Sequence, residues 1–518
     1  MGGMPTAPTR RETRWILALV GALLAVFTAA QLQFLDDPYH WDSLYYVTAS
    51  ARDLYLHPEQ IVPQGPWDNG HPPLFFWLLA MAWRVAGPSV IVSHLLVLAF
   101  ALATLAGQFL LARRLFGSRA AFLASLFLAA SPIFFYQAGT ITSDIPLAAL
   151  TVAALLAAIG RRWALAAAAG CAMVLIRESA LLFMPFLAAA AWLIPDRRER
   201  SGLAGLAGPT LMVALPGAAL GAWLLLHHDV AGWWVYVDDS RSVKQSLWEL
   251  PYEIYRRTLR PFLRRHGMVA ATVAALVALG AALPALRRPG RAGEESRSAW
   301  IMAATTAGMV IPIGITTAMM SIFLPRYILP ILPVFFLLAG WAASRAGGAM
   351  PIVAILVMVP LIYAHEGPFL HGWESNRSFQ RFIATTQESA QWLRTEHPDA
   401  RVMAPWPLWQ SICEPMYGYV DAPMQVLIIG TRERFEAYCS PGMYHFVPRV
   451  HATSVEAGDF DYLWLFTPRQ LENEYAELAS RVILDPVHEV HVGEHAQYIY
   501  RVRGSKARLV NPMEITAP

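Results

Sequence analysis

Residues 15–37 read WILALVGALLAVFTAAQLQFLDD, and this stretch decides what kind of protein the chain is. From Trp15 to Leu35 no charged side chain interrupts the apolar run, which reaches the ~20 residues a helix needs to cross a bilayer. Arg10, Arg11 and Arg14 precede it, and the pair Asp36-Asp37 closes it. Arginines ahead of an apolar core also fit a signal peptide, with Thr28 and Ala30 as a small-residue cleavage pattern. The many apolar blocks downstream favour an uncleaved first span.

Those blocks continue the pattern. Hydrophobic residues make up 56% of the 518 and charged residues 15%, where a soluble domain carries roughly 25% charge. The length rule gives about eleven spans, near 15–35, 89–112, 119–136, 143–160, 163–178, 179–195, 204–226, 268–286, 299–320, 327–343 and 349–364. The block 72–86 is short and reads as an interfacial or re-entrant helix. The blocks 163–178 and 179–195 touch, as in a tight hairpin or one broken element. A wholly soluble enzyme, a disordered chain and a disulfide-dense secreted module are excluded. A net charge of +3 gives no footprint for nucleic acid. Cys171 lies in an apolar block; Cys413 and Cys439 either pair, if the C-terminal third is exported, or are two free thiols.

Arginine clusters at 10–14, 113–119, 161–162, 197–200 and 287–297 each follow an even number of the expected spans. The positive-inside rule puts them all at the cytoplasm. Residues 1–14 are then a cytoplasmic tail and 15–364 a membrane domain of a cytoplasmic or inner membrane. The first outer loop is 36–71, a basic outer loop is 227–266, and 365–518 is an extracytoplasmic α/β domain. That last assignment rests on alternation of short β-rich runs (402–405, 426–430, 462–466, 498–502) with helix-compatible stretches at 378–396 and 470–479.

Scarce polar residues at the outer edge carry the functional reading. Carboxylates at a bilayer surface are costly and tend to be retained for function, although a solvated helix end also explains Asp36 and Asp37. Asp144 either caps the next helix, with Pro146 in its first turn, or serves a site. Arg177-Glu178 is either an ion pair holding a hairpin or part of that site. The turn Asp68-Asn69-Gly70 and the prolines Pro72-Pro73 hold His71 at a corner. Arg326 lies among Pro325, Pro330 and Pro333, an interruption tolerated where backbone lines a cavity. Arg256 and Arg257, in the basic loop, read as an interfacial helix on headgroups or as a clamp for a lipid-linked phosphate. Carboxylates beside arginines suit removal of a group from phosphate: the carboxylate takes a proton, and the arginines hold the departing charge.

Four local motifs give a family resemblance. They are Asp36-Asp37 with Tyr45 and Tyr46 downstream; Gly70-His71-Pro72-Pro73-Leu74; Arg113-Arg114-Leu115-Phe116-Gly117 followed by Ser131-Pro132 and Thr142-Ser143-Asp144-Ile145-Pro146; and Pro325-Arg326-Tyr327-Ile328-Leu329-Pro330. In order and common side they resemble the GT-C membrane glycosyltransferases, specifically the protein-mannosyltransferase-like family 39, similar to bacterial aminoarabinose transferases. The resemblance implies a polyprenyl-phosphate-linked sugar donor and attack by an acceptor hydroxyl on C1 with inversion. The acceptor class (lipid, glycan or protein) is open. It makes Asp36 the catalytic carboxylate, with Asp37, where the family commonly has Glu, and Asp144 beside it. Arg326 contacts the donor phosphate, with Arg177, Arg256 and Arg257 as further phosphate contacts. His71, Tyr45, Tyr327 and Glu178 are the substrate contacts. Metal use varies in this fold; at most Asp36 and Asp144 share a divalent ion. A transporter or flippase of a lipid-linked sugar, or a non-catalytic scaffold, are the alternatives. Edge-located charge and the lack of an internal repeat weigh against the transporter.

Overall fold

In the computed structural model the chain is described over residues 10–64, 68–194, 204–234, 252, 276, 278–280, 282–284, 291–320, 324–345, 378–430, 444–448, 455–473, 475–493 and 495–505. The span expected at 349–364 and most of that at 268–286 lie outside these residues, as do Arg256, Arg257 and the Tyr45 side chain.

The first apolar run forms α1 (Arg10–Gln31), closed by a 3-10 turn at Leu32–Phe34. After the outer-loop helix α2 (Ala49–Leu56) come α3 (Leu74–Ala86), α4 (Val90–Phe116) and α5 (Ser118–Ala129). They are followed by α6 (Pro132–Ala138), α7 (Asp144–Ile159), α8 (Trp163–Ile176), α9 (Met184–Leu193) and α10 (Ala204–Ala231). Later in the chain stand α11 (Arg291–Met320) and α12 (Leu332–Arg345). Local chemistry sets several ends. The Ser89 hydroxyl accepts a bond from Val92 N at the start of α4, and Gly117, at φ 84°, ends it in a conformation that suits glycine.

Among the described residues four helices are long and apolar enough to cross a membrane, or five if α5 and α6 count as one span. The single span expected at 119–136 is that pair, bent by 65°, because Pro132 opens a new helix and cannot continue the old one. The block 72–86 is a 13-residue helix, and the break expected between 163–178 and 179–195 falls at Arg177, which is extended (φ −153°, ψ 121°). Arg114 lies close to Gly160, with a guanidinium nitrogen 3.2 Å from where a Cβ would stand. The basic ends of α4 and α7 therefore meet at one end of the bundle.

Small residues bring the helices together, as membrane packing favours. A Cβ on Gly340 of α12 would lie 2.5 Å from Ala124 N and 2.7 Å from Ala120 O of α5. Buried Gln108 of α4 donates to the Pro333 carbonyl at 2.8 Å and ties α4 to α12.

The C-terminal unit opens with α13 (Ser378–Glu396). Its six strands are β1 (Arg401–Met403), β2 (Gln425–Gly430), β3 (Tyr444–Pro448), β4 (Tyr462–Leu465), β5 (Val482–Val492) and β6 (His495–Ser505). The sheet order is β3-β2-β1-β4-β6-β5. Strands β1 to β4 pair in parallel and β6 adds antiparallel to β4. Short α14 (Leu408–Cys413) follows β1 and faces the membrane domain. One apolar core runs from the helices into this unit, and a second cluster around Phe460 and Leu463 completes the sheet. Cys171 is a free thiol and Cys413 is disulfide-bonded, while Cys439 lies outside the described residues.

Candidate active site

Four chain segments meet at one end of the bundle. Asp144 is the first residue of α7 and is almost fully buried, where the helix N-terminus favours negative charge. Ser143 makes no capping bond there. The Asp144 carboxylate is instead held by two arginines: Arg177 Nη1 lies 2.8 Å from Oδ1 and Arg326 Nε 3.2 Å from Oδ2. Arg177 reaches it because α8 stops at that residue and the backbone turns out. Arg326 is presented by the 3-10 turn Pro325–Ile328. Its Nη2 donates to Oδ2 of Asp42, which lies between α1 and α2. The Tyr327 ring lies under both guanidinium groups, at 4.7 Å from Arg177 and 5.9 Å from Arg326, within cation–π range.

A second set of contacts fixes the rest of the outer loop. His71 Nδ1 and Glu178 Oε2 are 3.2 Å apart, both partly exposed. Arg177 and Glu178 thus hold different partners, one the buried Asp144 and the other His71. Asp68 Oδ2 meets His227 Nε2 at 2.8 Å, and both side chains are buried. Asn69 donates to the Tyr46 carbonyl at 3.2 Å and to Ser50 Oγ at 3.0 Å.

The pair Asp36-Asp37 divides. Asp36 is exposed, and no described contact joins it to the arginine network. Asp37 is largely buried, and burial, then the charge of Asp36, push its carboxyl up to about 7. Its backbone carbonyl accepts a hydrogen bond from His94 Nε2 at 2.9 Å. Both Asp144 oxygens are taken up by guanidinium groups, which leaves little for an ion shared with Asp36. Among the described residues no set of three His, Cys, Asp or Glu side chains converges as metal ligands.

Three participants escaped the sequence reading: Asp42, Asp68 and His227. Asp42 was visible within Tyr39-His40-Trp41-Asp42, but the adjacent carboxylates at 36 and 37 were the more conspicuous signal. His227 sits near the end of the apolar helix α10, next to His228, and nothing local in the sequence marks it as a partner of Asp68.

This architecture matches known proteins. The structure of ArnT from Cupriavidus metallidurans bound to undecaprenyl phosphate superposes with a TM-score of 0.59 at 16% identity, covering 94% of this chain and 98% of ArnT. The chain has the ArnT fold. This is the GT-C arrangement expected from the motifs. The apo form of the same ArnT gives a TM-score of 0.55 over the same shares, again at 16% identity. A weaker likeness, with a TM-score of 0.47 and 14% identity, covers 91% of this chain and 72% of the Archaeoglobus fulgidus oligosaccharyltransferase. A family sequence model described as dolichyl-phosphate-mannose-protein mannosyltransferase matches residues 70–226. That segment runs from the His71 corner to the end of α10 and includes Asp144, Arg177 and Glu178. No curated protein matches the chain at a significant level. With the ArnT fold and several long apolar helices, the chain is a multi-pass membrane protein.

Proposed function

We propose that the protein is an integral-membrane glycosyltransferase. It moves a sugar from a polyprenyl-phosphate-linked donor to an acceptor hydroxyl at the extracytoplasmic face, inverting C1. The observation that carries this reading is the continuous network Asp42–Arg326–Asp144–Arg177. It gathers two guanidinium groups beside a loop carboxylate, which is what departure of a phosphate leaving group requires. The undecaprenyl phosphate bound by ArnT, which shares the fold, supports a lipid phosphate of the same class here.

In the proposed step the acceptor oxygen forms a bond to C1 as the bond from C1 to the phosphate oxygen breaks. The hydroxyl proton passes to a carboxylate, and the polyprenyl phosphate leaves against Arg326 and Arg177. Asp36 is the base by motif. Asp42 fits the role better, because it already touches the arginine that would hold the phosphate, while Asp36 is exposed and no described contact joins it to that network. Asp144, with both oxygens engaged, organises the two arginines. His71, Glu178, Tyr327 and Tyr45 remain the candidate contacts to sugar or acceptor, and Arg256 and Arg257 candidate contacts to the lipid phosphate.

The test is transfer by purified protein from polyprenyl-phosphate sugars, read as release of free polyprenyl phosphate with a glycosylated acceptor. Asp42→Asn should lower the rate by about 10²- to 10⁴-fold, the range of a general base, and Asp36→Asn by far less. Equal, small effects of both substitutions would remove either carboxylate as the base. Flux of the lipid-linked sugar into proteoliposomes without covalent transfer would replace the enzyme by a flippase.

A further inference from the structure

Asp42 stands where a short turn enters a helical segment, a π-helix over Ser43–Thr48 that continues into α2, and the two sides of this entry face different parts of the molecule. Ser43 N donates to the His40 carbonyl at 3.0 Å and Leu44 N to the Trp41 carbonyl at 2.9 Å. Trp41 has φ 51°, a left-handed conformation that a bulky residue rarely adopts unless its surroundings impose it. Towards the membrane helices the turn offers Asp42, which meets Arg326, and Ser43, whose hydroxyl donates to the Ile141 carbonyl at 2.9 Å. Its other residues face the C-terminal unit.

The contacts on that second face are specific. Gln410 of α14 is fully buried; its Nε2 donates to the Leu44 carbonyl at 3.1 Å and its Oε1 accepts from Trp406 Nε1 at 3.0 Å. One donor bond and one acceptor bond fix the amide in a single orientation. The Trp406 ring in turn packs on Trp41, with centroids 4.7 Å apart and planes at 57°. Just upstream, Tyr39 N donates to the Tyr417 carbonyl at 3.1 Å. Gly418, at φ 90°, lets that backbone approach: a Cβ there would stand 3.2 Å from Pro38 Cα.

We propose that the C-terminal unit sets the place of the Asp42 carboxylate relative to Arg326, with Gln410 and Trp406 as positioning residues acting through the turn His40–Leu44. The turn carries no glycine to relax Trp41, and from outside the turn Trp406 packs on Trp41 while Gln410 bonds the Leu44 carbonyl. Displacing a reacting group by about 1 Å costs on the order of 10²-fold in rate, so a domain far from the membrane spans in sequence becomes part of the reaction geometry. Only the activity readout below rests on the glycosyltransferase reading.

Three variants test this. Gln410→Ala removes both bonds and a further hydrogen bond to Tyr417. Gln410→Glu keeps an acceptor for the Trp406 indole but cannot donate to the Leu44 carbonyl. Trp406→Phe keeps a ring against Trp41 but loses the indole donor. Each is compared with wild type for kcat and KM with a polyprenyl-phosphate sugar, for binding of undecaprenyl phosphate, and for hydrogen exchange over residues 38–48. The expected result for Gln410→Glu is a fall in kcat of about tenfold or more, KM and undecaprenyl phosphate affinity held within about twofold, and faster exchange in the turn. Wild-type kcat or unchanged exchange overturns the proposal. So does a parallel loss of binding and turnover, which marks a merely structural role. If Gln410→Ala does not fold, Trp406→Phe carries the comparison. If wild type transfers no sugar, the functional reading falls, and exchange in the turn decides the positioning claim alone.

Discussion

Asp144→Asn separates two properties that usually fall together. The two guanidinium groups are almost balanced in the resting chain: Arg177 and Arg326 face Asp144 and Asp42, two positive charges against two negative. Asn keeps the size of the side chain but removes one negative charge, and the buried arginines are left in excess. Breaking a buried pair by removing one partner costs about 3–5 kcal/mol. The lower end applies here, since Arg326 keeps Asp42 and Arg177 keeps the Tyr327 ring. Phosphate binding should move the other way. A phosphate held by Arg326 on the side away from its Nε stands on the order of 6 Å from the Asp144 carboxylate. At an effective dielectric of about 20, that repulsion is about 3 kcal/mol. Its removal is worth on the order of a hundredfold in affinity. Loosened arginine geometry takes part of this back, so a gain of at least about tenfold is expected. The assay is titration with undecaprenyl phosphate in detergent, read as binding and as thermal shift in the same samples. A variant that is less stable and binds the lipid phosphate more tightly supports the network as an anion site. One that binds more weakly, with wild-type thermal stability, would refute the electrostatic reasoning.

Other outcomes follow from single observations. The Asp37 carboxyl is pushed up to about 7 by burial and then by Asp36, so the folded chain holds this proton where the unfolded chain has lost it. Its contribution to stability is therefore full below the ordinary carboxylate range and is lost as pH rises through about 7. Asp37→Asn should raise the melting temperature at pH 8 more than at pH 5, and an equal change at both would refute this. Gly340→Ala places a methyl against backbone atoms of α5 at 2.5–2.7 Å. Backbone cannot step aside as a side chain can, so a loss of about 1–3 kcal/mol is expected, visible as a lower melting temperature. Gly418→Ala meets both an unfavourable φ of 90° and the Pro38 backbone; it should slow transfer while undecaprenyl phosphate binding stays near wild type.

How much of this was legible depended on whether a signal was local. Uncharged runs and arginine clusters are local signals, and they gave the membrane class. Alternating runs in the last third announced four of the six strands, with ends within a few residues of β1, β2, β4 and β6. Strand β5 was missed because VILDPVHEVHV carries Pro486 and charged residues, which look like a loop until β6 pairs with it. The α5–α6 bend was missed because apolar composition does not register a proline hinge. The site was legible in kind rather than in membership. Asp144, Arg177, Arg326 and Tyr327, which the structure brings together, stand out in the sequence as polar residues at the edges of apolar blocks. Asp42 lay among other polar residues of an outer loop, where nothing local distinguishes it from Asp36.

What distinguishes Asp42 is a partner 284 residues away and a turn shape imposed from still further along the chain. This has a consequence for how the charge is kept in register. Asp144 and Arg177 belong to the ends of α7 and α8, whose apolar sides pack into one bundle core, so their backbone positions are set by helix packing. Asp42 opens the helical segment that runs through Ser43–Thr48 into α2, and the free end of that segment needs its own hold to keep the carboxylate on the buried arginine. The buried amide of Gln410 and the ring of Trp406 provide that constraint from outside the membrane domain. The network is thus held from two sides: one carboxylate by the bundle, the other by contacts from the C-terminal unit. A phosphate that engages Nη2 of Arg326 must displace Asp42, and the carboxylate so released is the one beside the leaving group.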